Sequence, residues 1–174
     1  MGWEEGKKYV LITAGSMGCS RIKNAVFALA DLALRRDDIR LVVVCGNNST
    51  LRRQLAAIES KRATVLGYTP HMATLMRGSD LLVTKPGGLS STEAVRVGIP
   101  LIHTAAIPGC EILNARYFSG HGYSRFCPSG ERLPHEVLRL LLDEDACRDM
   151  VEKQRLAFRQ EDPAEKICDL AEKL

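Results

Sequence analysis

The chain has 174 residues, 45% hydrophobic and 26% charged, which suits one folded domain with its own core and lies far from the disordered classes. Its formal charge of +3, with no long basic run, gives no basis for nucleic-acid binding. The six cysteines form neither a C-x-x-C pair nor a metal pattern beside a histidine, and no apolar stretch approaches a membrane span. The opening Met1-Gly-Trp-Glu-Glu-Gly-Lys-Lys8 carries no apolar leader, so reduced thiols and a cytoplasmic location are expected.

Apolar and amphipathic runs alternate along the chain. Tyr9–Thr13 is a continuous β-prone run, as for a strand buried on both faces. After Gly15-Ser-Met-Gly18, apolar residues recur at helical spacing from Ile22 to Leu34. Leu41–Cys45 is the second strand; Ser49 or Thr50 is placed to cap a helix carrying Leu51, Leu55 and Ile58. Thr64–Leu66 is a third strand, followed by a short helix through Met76. Leu81–Thr84 is a fourth, then a helix to Val97; Pro100–His103 is a fifth, then a helix over Ile112–Ser119. Tyr123–Cys127 reads as a short strand, and the chain is helical from about Pro134. Strands separated by helices predict a single domain, residues 1–174, of the α/β class: a doubly wound parallel sheet, Rossmann-like. Ligands of such folds lie outside the carboxyl ends of the strands.

Three strand-end loops are rich in glycine or proline. In Gly15-Ser16-Met17-Gly18, glycines allow backbone amides to approach a ligand, and the following helix presents unpaired N–H groups to phosphate; a tight turn without a ligand explains the spacing equally well. The loop is not G-x-G-x-x-G, and Cys45-Gly-Asn-Asn48 ends strand two without the acid that would hold a dinucleotide ribose. In the second loop, Pro86 ends the strand, Gly87 and Gly88 permit a sharp turn, and Ser90, Ser91 and Thr92 open a helix. Ser90-x-x-Glu93 has the spacing of a capping box; the competing reading has Glu93 accept hydrogen bonds from a ribose diol. In the third, Glu111 and Asn114 stand one helical turn apart, either facing a cleft to grip sugar hydroxyls or solvated in a first turn. His71, His103, His121 and His135 lack metal spacing, His103 reads as a satisfied polar residue, and no general base, nucleophile or metal site emerges.

Together these loops resemble a known family. Gly15-Ser-Met-Gly18, Val65-Leu-Gly-Tyr-Thr69, the run Ser79-Asp-Leu-Leu-Val-Thr-Lys-Pro-Gly-Gly-Leu-Ser-Ser-Thr-Glu-Ala94 and Ile107-Pro-Gly-x-Glu-x-x-Asn-Ala115 are similar to the C-terminal domain of monogalactosyldiacylglycerol synthases and processive diacylglycerol glucosyltransferases. These are GT-B enzymes, related to the transferase that adds N-acetylglucosamine in lipid II synthesis. The resemblance covers nearly the whole chain and implies half of a GT-B fold that binds a UDP-sugar donor and needs neither metal nor cofactor. It implies diphosphate contacts from Gly15, Ser16, Met17 and Gly18 and from the turn Lys85, Gly87, Gly88, Leu89, Ser90 and Ser91. Tyr68, Thr69 and Met72 would frame the uracil, Glu93 would take the ribose hydroxyls, and Cys110 and Glu111 would face the hexose. The family usually has glutamine where Cys110 stands, and a thiol is a weak donor to a sugar hydroxyl. The family's acceptor domain, with its catalytic base, has no counterpart in these residues.

The resemblance thus implies the donor half of an inverting transferase that moves a hexose to a diacylglycerol-type lipid, inactive alone, with a missing acceptor domain or partner chain. The full enzyme would work at the inner face of the membrane. Two alternatives stand beside it: a non-catalytic nucleotide-sugar-binding subunit that pairs with an acceptor chain, and a sugar-nucleotide epimerase of similar fold.

Overall fold

A computed structural model of the chain describes residues 2–13, 15, 20–158 and 163–172. Six parallel strands form one sheet in the order β3-β2-β1-β4-β5-β6. They are β1 (Lys8–Thr13), β2 (Ile39–Val44), β3 (Ala63–Leu66), β4 (Leu81–Thr84), β5 (Leu101–His103) and β6 (Arg125–Phe126). The inner strands read as near-continuous apolar runs because helices cover both of their faces; Leu11, Ile12, Leu81, Leu82, Val83, Leu101 and Ile102 are fully buried. Arg40 interrupts that pattern in β2, and its guanidinium is matched by a two-point ion pair with Glu4, both contacts at 2.8 Å.

The helices are α1 (Lys23–Arg35), α2 (Ser49–Leu55), α3 (Met72–Arg77), α4 (Gly88–Val97), α5 (Cys110–Gly120), α6 (Leu133–Leu142), α7 (Glu144–Ala157) and α8 (Pro163–Ala171). α1 packs on β2 and α6, whereas α4 packs on β4, α3 and α7. Among the described residues, no helix is long and apolar enough to cross a membrane.

The sequence reading and the structure differ at several element ends. Asn48, not Ser49 or Thr50, caps α2: its Oδ1 accepts the Leu51 N–H at 2.8 Å, the strong asparagine option at that position. Ile58 falls in a separate 3₁₀ turn, Ala56–Ile58. The strand at Tyr123–Cys127 shrinks to two paired residues, because β6 is an edge strand that meets only β5. α5 begins at Cys110, two residues before Ile112, since Gly109 takes up the positive φ of 105° that the entry into the helix requires.

His103 closes β5 at 0% exposure and joins three elements. The Ser91 hydroxyl donates to Gly87 O at 2.7 Å, so its oxygen is left to accept from His103 Nε2–H at 2.9 Å, and the Ser124 hydroxyl donates to Nδ1 at 3.1 Å. A neutral imidazole satisfies every partner, and burial pushes its pKa down to about 4.

The unfolded chain takes up this proton near 6.5 and the folded chain only near 4, so stability falls as pH drops through that window. The loss for this one group is about 3 kcal/mol. Urea unfolding at a series of pH values, for the parent and His103→Leu, checks it: the variant is expected to lack that part of the slope, and identical slopes would place the titration elsewhere.

Candidate functional site

β1 and β4 are neighbours in the sheet but far apart in sequence, and at their carboxyl ends the successive crossovers diverge to opposite sides. A crevice opens there, the usual ligand position in an open α/β sheet. The two strand ends are tied together by the buried Thr84 hydroxyl, which donates to Thr13 O at 2.9 Å. Gly15 turns the chain away with a φ of 77°, its N–H held on Thr13 Oγ1 at 3.2 Å. Ser16, Met17 and Gly18 lie outside the described residues.

Facing Gly15 is the turn from β4 into α4. Gly87 is the N-cap of α4, so Gly88, Leu89 and Ser90 form its first turn, with N–H groups that have no acceptor within the helix. This start removes the capping-box reading: Ser90 lies inside the helix, and Glu93 stands a further turn along, unable to reach back to an N-cap amide. Glu93 is exposed, and among the described residues its carboxylate has no partner. Leu89 is 82% exposed.

Lys85 crosses between the two glycine turns. A Cβ built on Gly15 would meet Lys85 Cε at 3.5 Å, and one built on Gly87 would meet it at 3.8 Å. Its ammonium donates to Glu111 Oε1 at 2.5 Å, while Glu111 Oε2 accepts the Ile107 N–H at 2.8 Å. Asn114, one turn further along α5, donates to Pro86 O at 3.1 Å. Glu111 is buried. Burial by itself would raise its pKa, but the hydrogen bonds from Lys85 and Ile107 N, with the charges of Lys85 and Arg21, outweigh that and hold it below the ordinary carboxylate value. Cys110, beside it, is exposed.

Between α3 and α4 runs a groove of about 880 Å³. Pro70, Met72, Ala73, Met76 and Arg77 line one side, Thr92, Glu93, Arg96 and Val97 the other, with Ala157 and Phe158 close by. Tyr68, 65% exposed, and Thr69 precede the groove. The Thr69 hydroxyl is occupied by the His71 N–H at 3.1 Å; among the described residues the backbone N–H and C=O groups of Tyr68 and Thr69 are unpaired. The fold therefore gathers Gly15, Lys85, Gly87 and Gly88 at one point and puts Met72 and Glu93 in one groove beside it. Glu111 is brought to the same place, but with both carboxylate oxygens engaged.

Sequence reasoning missed several contributors. Arg96 lines the groove, and its place three residues after Glu93 on one helix was an available signal. Arg77, across the groove, and the Ser91–His103–Ser124 support beneath α4 carried none, since they meet only through the fold. Among the described residues there is no cluster of side chains able to hold a metal ion.

The chain matches the family described as "Glycosyl transferases group 1" over residues 2–157. It is 37% identical over 147 residues to a processive diacylglycerol beta-glucosyltransferase of Bacillus subtilis, an alignment that covers 83% of this chain and 38% of that protein. The chain thus spans about two fifths of such relatives. Among solved structures, Acinetobacter baumannii MurG superposes with a TM-score of 0.78 at 19% identity, over 99% of this chain and 51% of that one. S. aureus MnaA, solved with UDP, superposes with a TM-score of 0.68 at 17% identity, over 85% of this chain and 41% of that one. At these identities the two superpositions establish the fold.

An exposed Glu93 without partners is expected to leave stability unchanged when replaced: Glu93→Ala should stay within about 0.5 kcal/mol of the parent in urea unfolding. A loss of about 1 kcal/mol or more, the usual cost of a broken cap, would restore its structural role.

Proposed function

Because this chain belongs to the glycosyl transferases group 1 family, we propose that it is the UDP-sugar-binding half of an inverting hexosyltransferase whose acceptor is a diacylglycerol-type lipid. The observation that carries this reading is the convergence of an open helix N-terminus, a lysine and a groove with an unpartnered carboxylate at the point where strand order reverses. Each part of a UDP-sugar has a counterpart. The unused backbone groups of Tyr68 and Thr69 and the side chain of Met72 suit the uracil. Glu93, a pure acceptor when ionised, suits the two ribose hydroxyls. The first-turn amides of α4, the Lys85 ammonium and the Gly15–Gly18 loop suit the diphosphate. The hexose would then lie toward the Ile107–Cys110 turn.

Transfer in this arrangement is a direct displacement. The acceptor hydroxyl oxygen bonds to the anomeric carbon as its bond to the diphosphate oxygen breaks, and the hydroxyl proton passes to a base of the acceptor half. Negative charge grows on the departing diphosphate, where amide dipoles and Lys85 are already in place, so no metal is required. Among the described residues no side chain of this site is placed as that base, so the half described would be inactive alone. The coverage of about two fifths of the B. subtilis relative leaves room for an acceptor domain, and that relative's name supplies the lipid acceptor. Exposed Leu89 on the first turn of α4 and exposed Ile107 on the β5–α5 loop support coverage of the crevice by that domain or by a separate chain.

Calorimetric titration of the 174-residue chain tests the reading. UDP is expected to bind saturably, ADP and NAD far more weakly, and Glu93→Ala to weaken UDP about tenfold, as for lost hydrogen bonds to a charged group. Absence of UDP binding at millimolar concentration would overturn the proposal, and an unchanged Glu93→Ala would remove Glu93 from the site.

A further inference from the structure

The buried chain beneath α4 runs in one direction. The Ser124 hydroxyl donates to His103 Nδ1 at 3.1 Å, which leaves the ring proton on Nε2. Nε2–H donates to Ser91 Oγ at 2.9 Å, and the Ser91 hydroxyl donates in turn to Gly87 O at 2.7 Å. With the proton on Nδ1 instead, the Ser91 hydroxyl would turn onto the ring and away from Gly87 O. Among the described residues, the buried Ser124 hydroxyl would then have no acceptor. The Phe118 ring of α5 packs across the imidazole, with centroids 5.4 Å apart. Gly87 O receives a second bond, from Ser91 N–H at 3.0 Å. That carbonyl belongs to the peptide group whose N–H is that of Gly88, the first residue of α4, exposed and with no acceptor within the helix. Drawing electron density onto the oxygen of an amide makes its N–H a stronger donor, since the group is one conjugated unit. Thr92 makes the same kind of bond one residue along, to Gly88 O at 2.9 Å, but from the exposed face, where water competes.

We propose that His103 is a positioning residue that acts through Ser91: it ties the Ser91 hydroxyl and the start of α4 to β5, and so orients and polarises the Gly88 N–H toward an anion, here the diphosphate of the donor. The proposal rests on the donor-site reading given above and adds to it side chains that do not meet the ligand. His103 and Ser91 are both 0% exposed. The role needs an uncharged ring with one N–H and one acceptor nitrogen, and burial keeps the imidazole neutral. Leucine at this position would fill much of the volume but remove the donor that binds Ser91 Oγ. Glutamine would present one donor and one acceptor, as the imidazole does.

The test measures UDP and uridine binding by calorimetry, and the Gly88 amide proton shift by NMR, for the parent chain, His103→Leu, His103→Gln, Ser91→Ala and the double variant His103→Leu/Ser91→Ala. His103→Leu and Ser91→Ala are each expected to weaken UDP about threefold, to leave uridine unchanged and to move the Gly88 amide proton upfield in the ligand-free chain. His103→Gln is expected to restore both readouts to the parent's. The double variant is expected to bind UDP no worse than Ser91→Ala, because the two residues act in series. A chain that is merely loosened would lose UDP and uridine alike, so equal losses would overturn the proposal, as would a Gly88 shift that His103→Leu leaves in place. If His103→Leu fails to fold, which its thermal melt reports, the proposal stands on a loss in Ser91→Ala with none in His103→Gln, and falls without it. A parent that binds no UDP would overturn the donor reading and this proposal together, whereas UDP binding indifferent to His103→Leu and Ser91→Ala would overturn this proposal alone.

Discussion

The pairing of β1 with β4 is the constraint on which the site depends. Val10 to Thr13 lie in register with Leu81 to Thr84, and the Thr84 hydroxyl closes the ladder on Thr13 O at 2.9 Å. Parallel pairing brings both carboxyl ends to one edge of the sheet, and the connections that follow leave in opposite directions. Two glycine turns, separated by some seventy positions in the chain, then stand face to face. Any slip of this register would move Gly15 away from Lys85 and leave α4 aimed at nothing. Such a slip would also break the Thr84–Thr13 bond and unseat the close packing of two strands buried on both faces.

On this frame the N-terminus of α4 is held from two directions. From beneath, Ser91, His103 and Ser124 form a fully satisfied buried chain that ends on the Gly87 carbonyl. From the side, α5 reaches Lys85 and Pro86 through Glu111 and Asn114. Both supports are polar, the first buried and the second partly so, which favours each member's partner over an alternative arrangement. The result is a set of helix-terminal amides and one ammonium held in fixed positions. Such preorganisation is what makes dipoles effective against developing charge, because little must reorient during the reaction.

The groove between α3 and α4 and the helix mouth are the features on which the donor-site proposal rests; among the described residues, no side chain beside them is placed to take a proton from an acceptor. The chain matches its family over residues 2–157 and spans about two fifths of the B. subtilis relative.

Much of this was legible without coordinates. Short, β-branched apolar runs in β1, β2 and β4 read as buried strands, and their alternation with amphipathic helices implies a parallel sheet with ligands at its carboxyl ends. The run from Lys85 to Glu93 and the third loop carried the family resemblance, because side-chain chemistry at fixed spacing is a local property of the chain. Other facts were not local. Spacing left Glu93 divided between a cap and a ligand contact; the family resemblance turned it toward the ribose, and the start of α4 at Gly87 excludes the cap. Spacing likewise offered Glu111 and Asn114 to a cleft, whereas packing of α5 against the β4–α4 turn engages both. His103 looked like an ordinary polar residue, and only its burial between Ser91 and Ser124 shows why it must stay neutral. The sequence by itself determined which elements form and which loops carry polar and glycine chemistry, because periodicity and backbone preference act over a few residues. The tertiary structure alone decided which side chains are free to meet a ligand, because that depends on partners tens of residues away.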